Sequence, residues 1–95
     1  MRKFEQNINS ITVEWGEPGS DGGSAITGYI IEKRDANRTQ WSRVGDLDAD
    51  ARRYKVSKLV EGNEYYFRVA ALNRIGQGPF VITDDAIKAK LPFGE

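Results

Sequence analysis

Apolar residues take every second place along several stretches of this chain, the spacing that lays one face of a β-strand on a core. In Ser10-Ile11-Thr12-Val13-Glu14-Trp15 the alternation puts Ile11, Val13 and Trp15 on one face. Pro18 and the run Gly19-Ser20-Asp21-Gly22-Gly23-Ser24 end that strand. Proline cannot donate to a ladder and glycine accepts positive φ, so the run reads as a loop. The next strand spans Ile26 to about Arg34, with Tyr29 and Ile31 on the same face. The polar segment from Arg34 to Gln40 turns the chain, and a short strand follows around Trp41 to Val44.

After the acidic stretch Asp46-Leu47-Asp48-Ala49-Asp50 the pattern resumes at Tyr54, Val56 and Leu59. The turn Glu61-Gly62-Asn63 leads into the clearest strand, from Glu64 to Asn73. There Tyr65, Phe67, Val69 and Ala71 point one way, and Glu64, Tyr66, Arg68 and Ala70 the other. A last strand falls between Phe80 and Lys90, with Ile82 and Ile87 as its core candidates and a bulge or kink at Asp84-Asp85. A first strand near Lys3 to Asn7 brings the total to about seven. No window has helical periodicity. The pattern predicts an all-β chain folded as a two-sheet antiparallel sandwich of about seven strands, immunoglobulin-like in architecture.

Length agrees with that picture, since 95 residues make one small domain and a sandwich of this kind needs roughly 100. Residues 1–90 are expected to form the domain and 91–95 an exit linker, where Pro92 fixes its φ and limits the hinge. The 14 basic and 14 acidic residues cancel, which gives no general attraction to nucleic acid or an acidic membrane. No apolar stretch approaches the roughly 20 residues that span a bilayer. Met1-Arg2-Lys3-Phe4 has basic residues with no apolar run behind them, unlike a signal peptide. The absence of cysteine leans towards a reducing compartment. The chain reads as an intracellular protein or as a piece of something larger.

Catalytic chemistry finds few residues to work with. Without histidine or cysteine the commonest general base, thiolate nucleophile and transition-metal ligands are missing, and no cofactor is expected. Asp46, Asp48 and Asp50 are spaced like the opening of a calcium loop, but Ala51 and Ser57 stand where that loop needs glycine and glutamate. Gly76-Gln77-Gly78 follows a strand as a nucleotide loop does, yet Val81 replaces the third glycine and no helix follows. Solvated turns account for both.

The ordered set Trp15, Tyr29, Leu59, Tyr65-Tyr66-Phe67-Arg68-Val69-Ala70-Ala71-Leu72-Asn73, Gly76 and Gly78 resembles the fibronectin type III signature over nearly the whole chain. That resemblance implies a non-catalytic sandwich with a core of Trp15, Tyr29, Leu59, Tyr65, Phe67 and Val69. Tyr65 stands where a tyrosine corner belongs, with its hydroxyl bonded to backbone near Leu59 to Gly62. Phe67 falls where antibody domains carry a disulfide cysteine, and it is expected to pack towards Val13 or Trp15 instead.

A narrower likeness runs through Pro18 to Asp35, Trp41, Leu59 to Tyr65 and the exit Ala89-Lys90-Leu91-Pro92-Phe93. These stretches look like the type III modules of titin, twitchin and related giant muscle proteins. The likeness implies a spacer and docking unit in a cytoplasmic, sarcomeric tandem array. Its partners would be neighbouring immunoglobulin-like or type III modules and filament proteins such as myosin, and the isolated domain would be monomeric. The proline-rich entry of that family is missing, since Trp15 is followed by Gly16-Glu17-Pro18.

Two features bear on partners. The outward faces of the third and sixth strands place Ile30 and Tyr66 towards solvent, with Glu32 and Arg68 as a cross-strand pair, which makes a candidate partner face. Asn37-Arg38-Thr39 is a glycosylation sequon in an expected loop. It supports an alternative reading as a ligand- or adhesion-binding module of an extracellular receptor.

Overall fold

The computed structural model describes residues 1–16 and 25–91, and among them two antiparallel sheets face each other. The smaller sheet has the order β1-β2-β5, from β1 (Arg2–Gln6), β2 (Ile11–Glu14) and β5 (Arg53–Val56). The larger is built on the path β4-β3-β6-β7, from β3 (Gly28–Asp35), β4 (Ser42–Asp48), β6 (Glu64–Leu72) and β7 (Val81–Ile82), and β8 (Ile87–Lys88) also pairs with β6. The Pro18–Ser24 loop and the end of the exit segment fall outside the described residues.

Alternation explains the core. Ile11 and Val13 from β2, Tyr29 and Ile31 from β3, and Tyr65, Phe67 and Val69 from β6 form one buried cluster with Trp15, Val56, Leu59 and Ala89. Phe67 is the largest fully buried side chain. The Trp15 and Tyr29 rings meet at 5.6 Å and those of Tyr65 and Phe67 at 6.3 Å, inside the range of favourable tilted contacts. The Val60 N–H donates to the Tyr65 hydroxyl oxygen at 3.0 Å, tying β6 to the turn before it. No disulfide crosses between the sheets, since the chain has no cysteine.

Tyr54 closes one side of the sandwich. From β5 in the smaller sheet its hydroxyl donates to the Val44 carbonyl of β4 at 3.0 Å. Its ring lies so close to Gly45 that a Cβ there would meet it at 2.9 Å, so β4 carries no side chain at this point. A bulge beside it, where Ile31 faces Gly45 and Glu32 faces Arg43, leaves Val44 as the extra residue. Val44 and Leu47 both pack against the core.

Three expectations change. The fourth strand extends to Asp48, so Asp46 and Asp48 belong to it rather than to a loop after it; continuous pairing with β3 down to Gly28 carries the strand through the acidic stretch. The last strand divides into β7 and β8, which raises the described strands to eight. Thr83 causes the division, because its N–H bonds the Phe67 carbonyl while its Oγ1 accepts from the Phe67 N–H. A side-chain hydroxyl thus takes the place of a backbone acceptor, and the ladder lapses through Asp84-Asp85. Ile82 is 45% exposed, because β7 lies at the sheet edge and pairs Ile82 with Arg68 on the outer face. Ile87 packs only partly against the core, and Ala89 is the fully buried residue of this segment.

Replacing Phe67 by Ala is expected to lower stability by roughly 3–5 kcal/mol, from the lost burial and the cavity left behind. Tyr65→Phe keeps the ring and removes only the hydroxyl, so it should cost about 1 kcal/mol. Urea denaturation midpoints of the two variants against the parent chain test this ranking.

Candidate docking face

The outer face of the larger sheet carries its most organised group of polar and aromatic side chains. β3 and β6 pair in register from Gly28 opposite Leu72 to Asp35 opposite Tyr65. This register sets Ile30 beside Ala70, Glu32 beside Arg68 and Arg34 beside Tyr66 on the outward side. Arg68 donates from Nε and Nη2 to Oε1 of Glu32 at 2.8 and 2.6 Å. The two side chains are only 22% and 14% exposed, so water screens the pair less than a surface ion pair.

Aromatic rings flank the arginines. The Arg68 guanidinium lies 4.2 Å from the Trp41 ring centroid and 3.9 Å from that of Phe80. The Arg34 guanidinium lies 4.7 Å from Tyr66 and 5.4 Å from Trp41. The stack therefore runs Tyr66, Arg34, Trp41, Arg68, Phe80 across the sheet, with each cation between two rings. The sequence pattern places Arg34 on this face, two residues past Glu32. It does not place Trp41 or Phe80, which precede β4 and β7 and reach the face through turn geometry rather than alternation.

Ile30 departs from expectation. It points outward as the alternation requires, but it is 2% exposed and adds no apolar surface for a partner. β3 is flanked on both sides, by β4 and β6, and in-register neighbours Asp46 and Ala70 bracket the side chain. The accessible apolar surface lies instead at Tyr66, Trp41 and Phe80, all half-buried, and at exposed Ile82.

The other sequence candidates are turns and strand positions. Asp46 pairs with Arg43 at 3.4 Å, and no group of three or more potential metal ligands occurs among the described residues. In the Gly76-Gln77-Gly78 segment Asn73 Oδ1 accepts from the N–H groups of Ile75 and Gly76, which fixes a local turn. Asn37 is exposed in the β3–β4 turn.

Comparison with known proteins places this geometry. The family model of the fibronectin type III domain matches residues 3–82. The chain belongs to the fibronectin type III family. Titin of Drosophila melanogaster is 44% identical over 84 residues, which is 88% of this chain and 0% of titin after rounding. Protein sidekick-1 of Gallus gallus is 38% identical over 95 residues, 95% of this chain and 4% of that protein. A crystal structure of domains from titin superposes with a TM-score of 0.86 at 34% identity, covering 94% of this chain and 30% of that one. The type III module thus spans a small fraction of the relatives it matches. Modules of this family are typically non-catalytic, and a structural or binding role is the general reading for this one.

A double-mutant cycle on Glu32→Ala and Arg68→Ala is expected to give a coupling energy of about 1–2 kcal/mol, above the range of exposed ion pairs. Thermal or urea denaturation of the two single variants and the double variant measures it.

Proposed function

We propose that this type III module is a spacer and docking unit in a tandem array of a titin-like sarcomeric protein. The observation that carries the reading is the path of the chain through the sandwich. β1 starts with Arg2 opposite Glu14 and runs to Gln6, whose side-chain amide donates to the Lys88 carbonyl at 3.0 Å. The N-terminal strand therefore starts at one end of the sandwich, and β8 leads out at the other. Ala89 is clamped there to the β5–β6 turn by backbone bonds with Gly62 and Asn63.

This path suits a load along the chain. Tension applied before Arg2 and after Leu91 acts along β1 and β8, perpendicular to their ladder hydrogen bonds. Those bonds then share the load at once instead of opening one by one. Identity to titin supports the setting, and the resemblance to the muscle modules suggests neighbouring modules and filament proteins such as myosin as partners. Leu91 and the residues after it would act as the exit linker. The outer face at Glu32, Tyr66 and Arg68, with Ile30 buried beneath its neighbours, is the proposed docking surface.

A second reading, a module of an extracellular receptor, draws on the exposed sequon at Asn37 and on the match to sidekick-1. Mass spectrometry of the native protein separates the two, because a glycan on Asn37 belongs to a secreted chain. For the leading reading, single-molecule pulling on several linked copies should give one discrete unfolding step per module. Smooth extension without steps would count against a mechanical role.

A further inference from the structure

We propose that the outer face of the larger sheet takes a carboxylate of an acidic peptide segment on Arg34, with an apolar residue of that segment covering Ile82. The proposal rests on the docking reading above and names the chemistry of the partner. It starts from a difference between two arginines that share one aromatic stack. Arg68 is neutralised by Glu32 at 2.6 Å. Arg34 has no carboxylate partner among the described residues, and its Nη1 donates to the Arg38 carbonyl.

The acids beside Arg34 on β3 and the carboxylate of Asp46 are engaged elsewhere. Glu32 is held by Arg68, and Asp46 by Arg43. Asp35 accepts from the Asn63 side chain and the Asn37 N–H. Glu64 is exposed at the start of β6, opposite Lys88 of β8, and makes no ion pair with Arg34. Arg34 is thus left as a half-buried cation with unused donors, held between the rings of Tyr66 and Trp41. A guanidinium fixed this way presents a planar fork suited to bidentate carboxylate binding. The rings have already ordered the side chain, so little rotamer entropy remains to be lost when a ligand arrives.

The apolar side of the face limits the partner further. Ile82 pairs with Arg68, so it stands on the same outward surface as Arg34, two strands across, and it is 45% exposed. From strand spacing and rise, Arg34 and Ile82 are about 12 Å apart, roughly three to four residues of extended peptide. A matching segment carries Asp or Glu with an apolar residue at that separation. A polyanion fits less well, because it needs many uncompensated cations and this chain has equal numbers of acidic and basic residues.

The test uses the whole chain and a short synthetic peptide with one Glu and, three or four residues away, one Leu. Trp41 lies in the stack and reports binding by fluorescence, whereas Trp15 is buried in the core. Saturable binding is expected, weakened about tenfold or more by Glu→Gln in the peptide and by Arg34→Gln in the module. Arg43→Gln, at an exposed arginine already paired with Asp46, should leave the affinity unchanged. No saturable signal, equal binding of the Glu and Gln peptides, or equal loss in the Arg43 variant would overturn the proposal. So would preferential binding to phosphatidylserine vesicles over the peptide. If Arg34→Gln fails to fold, the Glu and Gln peptides on the parent chain decide the matter. A negative result leaves the pulling experiment unaffected, so the spacer role and the carboxylate site fail separately.

Discussion

The unbroken register between β3 and β6 is the constraint on which the rest of this module depends. Eight consecutive pairs, from Gly28–Leu72 to Asp35–Tyr65, fix which side chains look inward and which look out. Because the side-chain period is two, a slip of one residue would turn Tyr29 and Ile31 to water and bring Glu32 and Arg34 into the core. The buried set on one side and the arginine–aromatic stack on the other are two results of a single alignment. On its other side β3 lies close to β4, since a Cβ at Gly28 would meet the Leu47 carbonyl oxygen at 2.6 Å.

Stability follows from the inward side. A small sandwich without a disulfide depends on large rings and branched side chains to hold its sheets together. Phe67 fills the centre, Trp15 and Tyr29 lie together, and Tyr65 anchors the turn that carries Val60. Tyr54 adds a link between the sheets at their margin, through its bond to Val44. Polar atoms of Tyr65 and Tyr54 thus brace the periphery while apolar atoms fill the middle.

Much of this arrangement was legible in the sequence because it obeys period two. The strands containing Ile11, Tyr29 and Phe67 announce their faces directly, and the type III likeness follows from the same residues. Local chemistry that breaks the period was harder to see. The bulge at Val44 changes register inside β4, and the hydroxyl substitution at Thr83 divides the last strand, neither of them changing the hydrophobic pattern. Ile30 shows a different limit, since alternation gives direction but not cover. Its burial depends on neighbours from β4 and β6 that only the folded sheet brings together. Trp41 and Phe80 reach the outer face from positions just before their strands, where periodicity carries no information.

The divided last strand bears on how this sheet edge meets other strands. A long open sheet edge presents unpaired backbone donors and acceptors that invite pairing with a foreign strand and aggregation. Here the edge beyond β6 is offered in two pieces of two residues each, Val81–Ile82 and Ile87–Lys88, separated by the segment that holds Asp84 and Asp85. Neither piece is long enough to template a foreign strand, and the two charges between them oppose any attempt to bridge the gap. Thr83 therefore keeps this edge short, in contrast to the opposite edge of the same sheet, where β4 runs for seven residues.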